Sequence, residues 1–298
     1  FEFYIHFIKY IISSYNNIYI LEVMMKIVRF LILITFLISS LNAKEFRIGV
    51  FPYTNALEIA KIYKPFSKFL SEKLNQNVEI YTSKTYEQFF TDVQNKEFDL
   101  IITAPHLGSL HIKNGFIPIY RYNTELKPVF VVLKDSNINK ISDLKNCKIA
   151  LSSKLSISSM GGIKALLDSG LQNEKDFTLV QSKSHTSAIK SVELREVDAA
   201  ITTYTPIKQI MDETDIKDKI RVIESNISMP HLFTVANPDL SLLQISELKK
   251  FLKDFEESEE GKEFFKSSGY VGYVEISQSD INKITPLLDE TKKFLNEK

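Results

Sequence analysis

The sequence predicts an α/β fold of two lobes, each a mainly parallel sheet flanked by helices, with a ligand cleft between the lobes. Short apolar runs alternate with segments of helical periodicity, which is typical of a parallel sheet covered by helices. This alternation occurs twice, and extended apolar runs at 127–135 and 231–239 separate the two blocks. A chain of 298 residues is long enough for two domain-sized units.

The first block begins with the run EFRIGVFPY at 45–53, which ends in a proline turn and predicts a buried strand. Residues 56–74 place apolar side chains at helical spacing and predict a helix. The alternation then continues with a strand at 77–83, a helix at 86–97, a strand at 98–105 and a short helix at 106–115.

The second block follows the apolar run at 127–135 and repeats the pattern. It is predicted to contain strands at 147–153, 177–182, 198–204 and 220–225, and helices at 157–169, 186–196 and 206–213. The chain then returns through 231–239 and ends in helical segments at 241–257, 258–267 and 278–297. We therefore expect residues 44–130 and 229–298 to form lobe 1, and residues 131–228 to form lobe 2.

The N-terminal residues are expected to lie outside this fold. Residues 1–23 show no helical stripe and no turn residues, and we interpret them as translated upstream sequence, with the true start at Met24 or the next methionine. Residues 24–43 have two cations, an apolar run too short to span a bilayer, and a small residue, Ala43, at the end. This pattern predicts a cleaved signal peptide and export to the periplasm, and it is less typical of a membrane anchor.

Composition excludes several function classes. Basic and acidic residues both number 37, so no basic face predicts a nucleic-acid partner. A single cysteine, Cys147, excludes an intramolecular disulfide and a cysteine-based zinc cluster. No nucleophile elbow, HExxH or P-loop motif occurs, so the sequence predicts neither an enzyme nor a cofactor.

Ligands of open α/β sheets bind at the carboxyl ends of strands, so polar residues that follow strands are the candidates. A serine cluster follows the strand at 147–153, at the start of the helix predicted over 157–169, and includes Ser156, Ser158 and Ser159. Hydroxyls and free N–H groups at a helix start can bind an anion. The same residues can equally belong to an ordinary capped helix beside a solvated loop, and the sequence alone leaves both interpretations open.

Other strand ends supply further candidates. His185 lies between a strand and a helix, where it can donate to an anion and change charge near neutral pH, or simply be exposed. Thr203 and Tyr204 end a buried strand, and a tyrosine there is either a cleft wall or part of the core edge. The remaining candidates follow the first and third strands and are Tyr53, Thr103 and His106. We expect His111 at the surface, and the spacing of His106 and His231 does not favour a metal site.

In their order along the chain, several segments resemble periplasmic phosphonate- and phosphite-binding proteins of ABC transporters. They are RIGVFPYTNALEIAKIYKPFSKFLSEKLNQNVEI, KEFDLIITAPHLGSL, KDSNINKISDLKNCKIAL, SISSMGG and SHTSAIKSVELREVDAAI. The resemblance covers the chain to about residue 240. It implies a type II periplasmic binding protein that closes on an oxyanion and delivers it to an ABC permease, or that reports it to a membrane sensor kinase.

The resemblance also implies roles for particular residues. In that family a serine-rich helix start and the histidine of the following loop bind the phosphoryl group. The corresponding residues here are Ser158, Ser159 and His185, with Ser156 nearby. Members that bind aminoalkyl phosphonates carry an acid near the position of Thr202 and Thr203, so the resemblance favours a ligand with a smaller or uncharged tail. A sulfonate or another small organic anion is the alternative ligand. We expect a monomer.

Overall fold

The computed structural model describes residues 2–7, 9–10, 22, 24–30, 45–172 and 175–296. Its contacts divide the chain into two units, Phe1–Glu45 and Phe46–Lys298. In the first unit, residues 2–7 and 24–30 are helical. Most of the predicted upstream segment, and residues 31–43 of the predicted signal peptide, lie outside the described residues. Among the described helices, none has the length and apolar character needed to cross a membrane.

The second unit contains a six-stranded sheet and a five-stranded sheet. The strands of the first sheet are β1 (Phe46–Val50), β2 (Val78–Tyr81), β3 (Leu100–Thr103), β4 (Ile117–Tyr122), β12 (Phe233–Ala236) and β13 (Tyr273–Val274). The strands of the second sheet are β6 (Val129–Leu133), β7 (Cys147–Leu151), β8 (Phe177–Gln181), β9 (Ala199–Thr202) and β10 (Ile220–Glu224). A two-stranded ribbon of β5 (Glu125–Leu126) and β11 (Met229–Pro230) lies where the chain crosses between the sheets.

Ten α-helices are described in this unit. Those before the C-terminal region are α1 (Ala56–Leu74), α2 (Tyr86–Gln94), α3 (Pro105–Lys113), α4 (Ile157–Asp168), α5 (His185–Glu193) and α6 (Tyr204–Glu213). The C-terminal helices are α7 (Leu242–Glu257), α8 (Glu259–Ser268), α9 (Gln278–Ile284) and α10 (Leu288–Asn296), and three short 3₁₀ turns lie at Ile141–Leu144, Asp215–Asp218 and Thr285–Leu287.

Both sheets contain antiparallel strands, but four of the six strands in the first and four of the five in the second run in one direction, which agrees with the prediction of mainly parallel sheets. The order of the first sheet is β13-β4-β12-β3-β1-β2, and that of the second is β10-β6-β9-β7-β8. In the first, β1 runs parallel to β2 and β3, whereas β12 runs antiparallel to β3 and β4. In the second, β7 runs parallel to β8 and β9, whereas β6 runs antiparallel to β9 and β10. The chain crosses from the first sheet into the second along β6 and returns to the first along β12. These two strands therefore run opposite to the strands that belong to strand–helix–strand units.

The helix start that carries the serines is fixed by apolar packing against the first sheet's side of the molecule. Ile157 and Met160 of α4 belong to the same buried cluster as Leu107 of α3 and Leu288 of α10. A side chain at Gly161 would come within 2.6 Å of Pro128 and Met229, which flank the crossing. The absence of a side chain at Gly161 therefore lets α4 pack directly on the chain segments that cross between the two sheets.

Candidate functional site

The serine cluster lies in a buried loop and helix start rather than on a solvated surface. The loop follows β7, and all five of its hydroxyl-bearing residues are at most 6% exposed: Ser152, Ser153, Ser156, Ser158 and Ser159. Buried hydroxyls need hydrogen-bond partners. The structure therefore disfavours the ordinary solvated loop that the sequence left open.

His185 joins this cluster because β8, the strand that precedes it, lies beside β7, the strand that precedes the serine loop. Strands β7 and β8 run parallel with Leu151 opposite Gln181, so the loops after them lie side by side. His185 Nε2 lies 3.2 Å from Ser152 Oγ and 3.5 Å from Ser156 Oγ, and Ser156 Oγ lies 2.7 Å from Ser158 Oγ. Helix α5 begins at His185 and is capped by Ser184, which leaves the imidazole free to face the serines.

Burial keeps this histidine neutral at physiological pH. Desolvation lowers the pKa of His185 to about 4, opposed in part by the backbone carbonyl of Ile201. The sequence predicted a histidine that changes charge near neutral pH. In the ligand-free protein, His185 instead contributes a neutral imidazole to a cluster of hydroxyls.

Tyr86, which no sequence pattern singled out, also belongs to this candidate site. It begins α2, on the first sheet's side, and its hydroxyl interacts with Ser152 and Ser156 on the second sheet's side. Burial raises its pKa to about 12, so the hydroxyl is protonated and can donate. Its ring packs edge-on against Phe51, with the ring centroids 4.4 Å apart. Tyr86 follows β2, so the rule that ligands bind at the carboxyl ends of strands could have found it.

Three helix starts around the site lack side-chain caps. Six helices of the second unit are capped by the side chain of Asn55, Thr85, Ser184, Ser241, Ser258 or Ser277. In contrast, no side chain caps α3, α4 or α6, which follow β3, β7 and β9. Although Ser156 is the residue before α4, its hydroxyl bonds to Ser158 instead of capping the helix.

Beside each uncapped start lies a buried hydroxyl with no hydrogen-bond partner. They are Thr103 at the end of β3, Ser159 in the first turn of α4 and Thr202 at the end of β9. All three residues are fully buried. An unsatisfied buried donor is costly, so these hydroxyls indicate positions where a bound molecule would supply acceptors.

Two other predicted residues, the partly buried Tyr53 and the buried His106, lie on the first sheet's side. Burial raises the pKa of the Tyr53 hydroxyl well above the usual value, and this hydroxyl has no hydrogen-bond partner. His106 is fully buried, and its Nε2 lies 3.0 Å from the carbonyl oxygen of Leu155 in the serine loop. His106 therefore lies inside the protein beside the serine loop, whereas Tyr53 packs against the core on the first sheet's side.

Thr203 and Tyr204 lie just beyond the end of β9. Thr203 precedes α6 and Tyr204 begins it, so the strand is shorter than the sequence predicts. Tyr204 is 47% exposed, and its hydroxyl donates to Glu224 on β10. That bond raises the pKa of Tyr204 to about 12.

His111, which we expected at the surface, is fully buried. Its Nδ1 lies 2.7 Å from Gln94 Nε2, and its ring stacks on Phe90. The short α3 is buried along most of its length because it packs between the sheet and the C-terminal helices. Within the part of the chain that the structure describes, no group of three potential ligands could hold a metal ion.

Two α/β lobes, with neutral donors gathered where they meet, define a two-lobed type II solute-binding protein. The chain belongs to a specific family of that class, the periplasmic substrate-binding proteins of phosphonate ABC transporters, whose family model matches residues 48–281. Proteins of this family bind a solute and do not transform it, in agreement with the sequence prediction that the chain is not an enzyme.

Individual relatives agree with this assignment. A stretch of 111 residues is 31% identical to a probable ABC transporter phosphite-binding protein of Prochlorococcus marinus, and it covers 36% of this chain and 37% of that protein. The structure of PhnD1 from P. marinus with methylphosphonate is similar with a TM-score of 0.70 and 22% identity, over 85% of this chain and all of that one. A binding component of a phosphonate transporter from Pseudomonas aeruginosa gives 0.72 and 15% identity, over 86% and 90% of the two chains. These structural neighbours confirm the predicted two-lobed fold.

Proposed function

We propose that this chain binds a small tetrahedral oxyanion of the phosphonate and phosphite class between its lobes and delivers it to an ABC permease. The main support for the proposal is that three helices begin without a side-chain cap and that each of these starts lies beside a buried hydroxyl with no partner. The three hydroxyls belong to Thr103, Ser159 and Thr202. Helix N-termini carry partial positive charge and free N–H groups, so an oxyanion placed among them satisfies both kinds of donor.

The donors around this position are neutral, which favours recognition by geometry over attraction of any anion. Ser156, Ser158, His185 and Tyr86 form one cluster that draws on both lobes. Hydrogen bonds from neutral donors to a charged acceptor are shorter and stronger than those between neutral groups. A small anion with several oxygens can receive many such bonds at once, whereas a single carboxylate uses fewer.

The residues beyond the proposed phosphoryl position favour a short or uncharged ligand tail. Thr202 and Thr203 stand where an amine-binding acid is implied by the resemblance, and the nearby Glu224 already accepts a bond from Tyr204. Methylphosphonate, which the P. marinus structure holds, has such a tail. We therefore expect methylphosphonate and phosphite to bind more tightly than 2-aminoethylphosphonate, with methanesulfonate as the test of the alternative sulfonate class.

The same proposal includes the organisation and location of the chain. Residues 24–43 act as the signal peptide, lobe 1 comprises 44–130 and 229–298, and lobe 2 comprises 131–228. The assignment of β4 and β12 to one sheet and of β7 to β10 to the other supports these boundaries. The protein acts as a monomer with a membrane permease as its partner. Presentation of the ligand to a sensor kinase is the alternative, and transport of labelled ligand in cells with and without the permease genes separates the two.

Calorimetric titration tests the site directly. The double variant Ser158→Ala, Ser159→Ala should lose about 2–4 kcal/mol of binding free energy with methylphosphonate or phosphite, because hydrogen bonds to a charged acceptor are lost. Ser169→Ala is the matched control, since Ser169 lies at the other end of α4 and its hydroxyl donates to the carbonyl of Ala165. Wild-type affinity in the double variant would show that the anion binds elsewhere.

A further inference from the structure

We propose that His106 is an interlobe positioning residue: its imidazole, on lobe 1, holds the Leu155–Ser156 peptide of the serine loop on lobe 2 and thereby stabilises the closed arrangement of the lobes. His106 lies in the first turn of α3, and Leu155 lies in the loop between β7 and α4. This inference rests on the proposed function and adds to it an account of how the anion-binding loop is oriented.

The hydrogen bond from His106 has a defined direction. The carbonyl oxygen of Leu155 can only accept, so Nε2 at 3.0 Å carries the proton and donates. Burial lowers the pKa of His106 to about 3, so the ring is neutral and Nδ1 carries no proton. Nδ1 is therefore an acceptor and cannot donate to an oxyanion. This assigns His106 to the loop, in place of the direct contact with the anion that the sequence suggested.

The bond fixes one complete peptide group. The carbonyl of Leu155 accepts from His106, and the N–H of the same peptide, which belongs to Ser156, donates to the carbonyl of Ser153 at 3.0 Å. The N–H of Leu155 also donates to Ser153 Oγ at 3.1 Å. With both polar atoms of the Leu155–Ser156 peptide held, the direction in which Ser156 leaves the loop is determined. Ser156 in turn bonds to Ser158 and lies near His185.

The neighbouring contacts run across the same boundary. Ile157 and Met160 pack in one buried cluster with Leu107, which follows His106 directly. Thr291 of α10 lies 3.6 Å from the sulfur of Met160. Apolar contacts of this kind are not directional, so they can hold the lobes together without orienting the loop. The His106 bond is directional, and it supplies the orientation.

His111 provides a matched control for His106. It lies on the same helix, is equally buried, and makes its hydrogen bond to Gln94 within lobe 1. His106→Phe keeps a planar ring but removes the donor, whereas His106→Gln retains an N–H donor at a similar reach. His111→Phe removes a buried histidine from the same helix without touching lobe 2.

The test measures the distance between the lobes without ligand as well as the affinity. Nitroxides at Lys61→Cys and Lys190→Cys, in a Cys147→Ser background, report the interlobe distance distribution by pulsed electron paramagnetic resonance. We expect His106→Phe to shift ligand-free protein toward longer distances and to weaken methylphosphonate binding at least fivefold through faster dissociation. His106→Gln should remain within about twofold of wild type, and His111→Phe should match wild type in both readouts.

Two results overturn the proposal: wild-type distances and affinity in His106→Phe, or the same changes in His111→Phe. Failure of the proposed function looks different. In that case wild-type protein binds neither methylphosphonate nor phosphite, while the ligand-free distance distributions still show whether His106 holds the lobes together.

Discussion

Acidification from pH 7 to pH 5 should strongly destabilise this protein, because it buries neutral histidines. Burial lowers the pKa of His106 and His111 to about 3, and that of His185 and His231 to about 4. An unfolded histidine has a pKa near 6.5. Above that pH the groups are neutral in both states and contribute nothing. As the pH falls below it, the unfolded chain takes up protons that the folded chain does not, so the free energy of unfolding decreases.

The magnitude follows from the size of the shifts. At pH 5, each histidine with a folded pKa of about 3 stabilises the unfolded state by about 2 kcal/mol. His106 and His111 are fully buried, so they alone account for about 4 kcal/mol. His185 and His231 are partly buried and add to this loss. Since whole domains are typically stable by about 5–15 kcal/mol, the loss is a large fraction of the total.

Urea unfolding of ligand-free protein at several pH values between 7.5 and 5 measures the slope of the free energy of unfolding against pH. His111→Phe should reduce the slope by about 1.4 kcal/mol per pH unit in the range where one unfolded histidine is charged, whatever its effect on absolute stability. A free energy of unfolding that stays constant from pH 7 to pH 5 would refute the reasoning.

Two further substitutions test the geometry of the site. Tyr86→Phe should weaken binding of methylphosphonate by about 1 kcal/mol, because it removes a hydroxyl at Ser152 and Ser156 but keeps the ring contact with Phe51; calorimetry and thermal unfolding check both parts. Gly161→Ala should have two opposing effects on stability. The added carbon meets the rigid ring of Pro128, which costs about 1–3 kcal/mol, whereas the higher helix propensity of alanine contributes a gain of about 1 kcal/mol. In thermal unfolding, a gain in stability near the full helix propensity of about 1 kcal/mol would show that α4 does not pack tightly on the crossing.

The sequence predicted the parts of the fold that local patterns determine. Helix α1 has the predicted bounds of 56–74, because its apolar residues recur at helical spacing and Asn55 caps it. Strand β4 was missed, because Pro118 interrupts the run and the strand pairs with β12 from a distant part of the sequence. The antiparallel strands were also not predicted, since strand direction depends on how the chain crosses between sheets.

The cluster that forms the candidate site was predictable in part for the same reason. The serine loop and His185 follow strands, and a rule about strand ends is enough to select them. What the sequence could not show is which hydroxyls are left without partners. Ser156 looked like a helix cap, yet its hydroxyl bonds to Ser158, while Ser159 remains unsatisfied. That difference depends on side-chain directions set by packing.

The unpartnered hydroxyls also explain why ligand and closure should be linked. Each buried donor without a partner costs about 1–3 kcal/mol, so Thr103, Ser159 and Thr202 together oppose the arrangement described here when no ligand is present. Water can satisfy them if the lobes separate, and an oxyanion can satisfy them if the lobes stay together. A ligand shifts such an equilibrium only through its different affinity for the two states. An oxyanion bound at the proposed site therefore favours closure by supplying acceptors, while the bond from His106 and the packing of Met160 offset part of the cost in its absence.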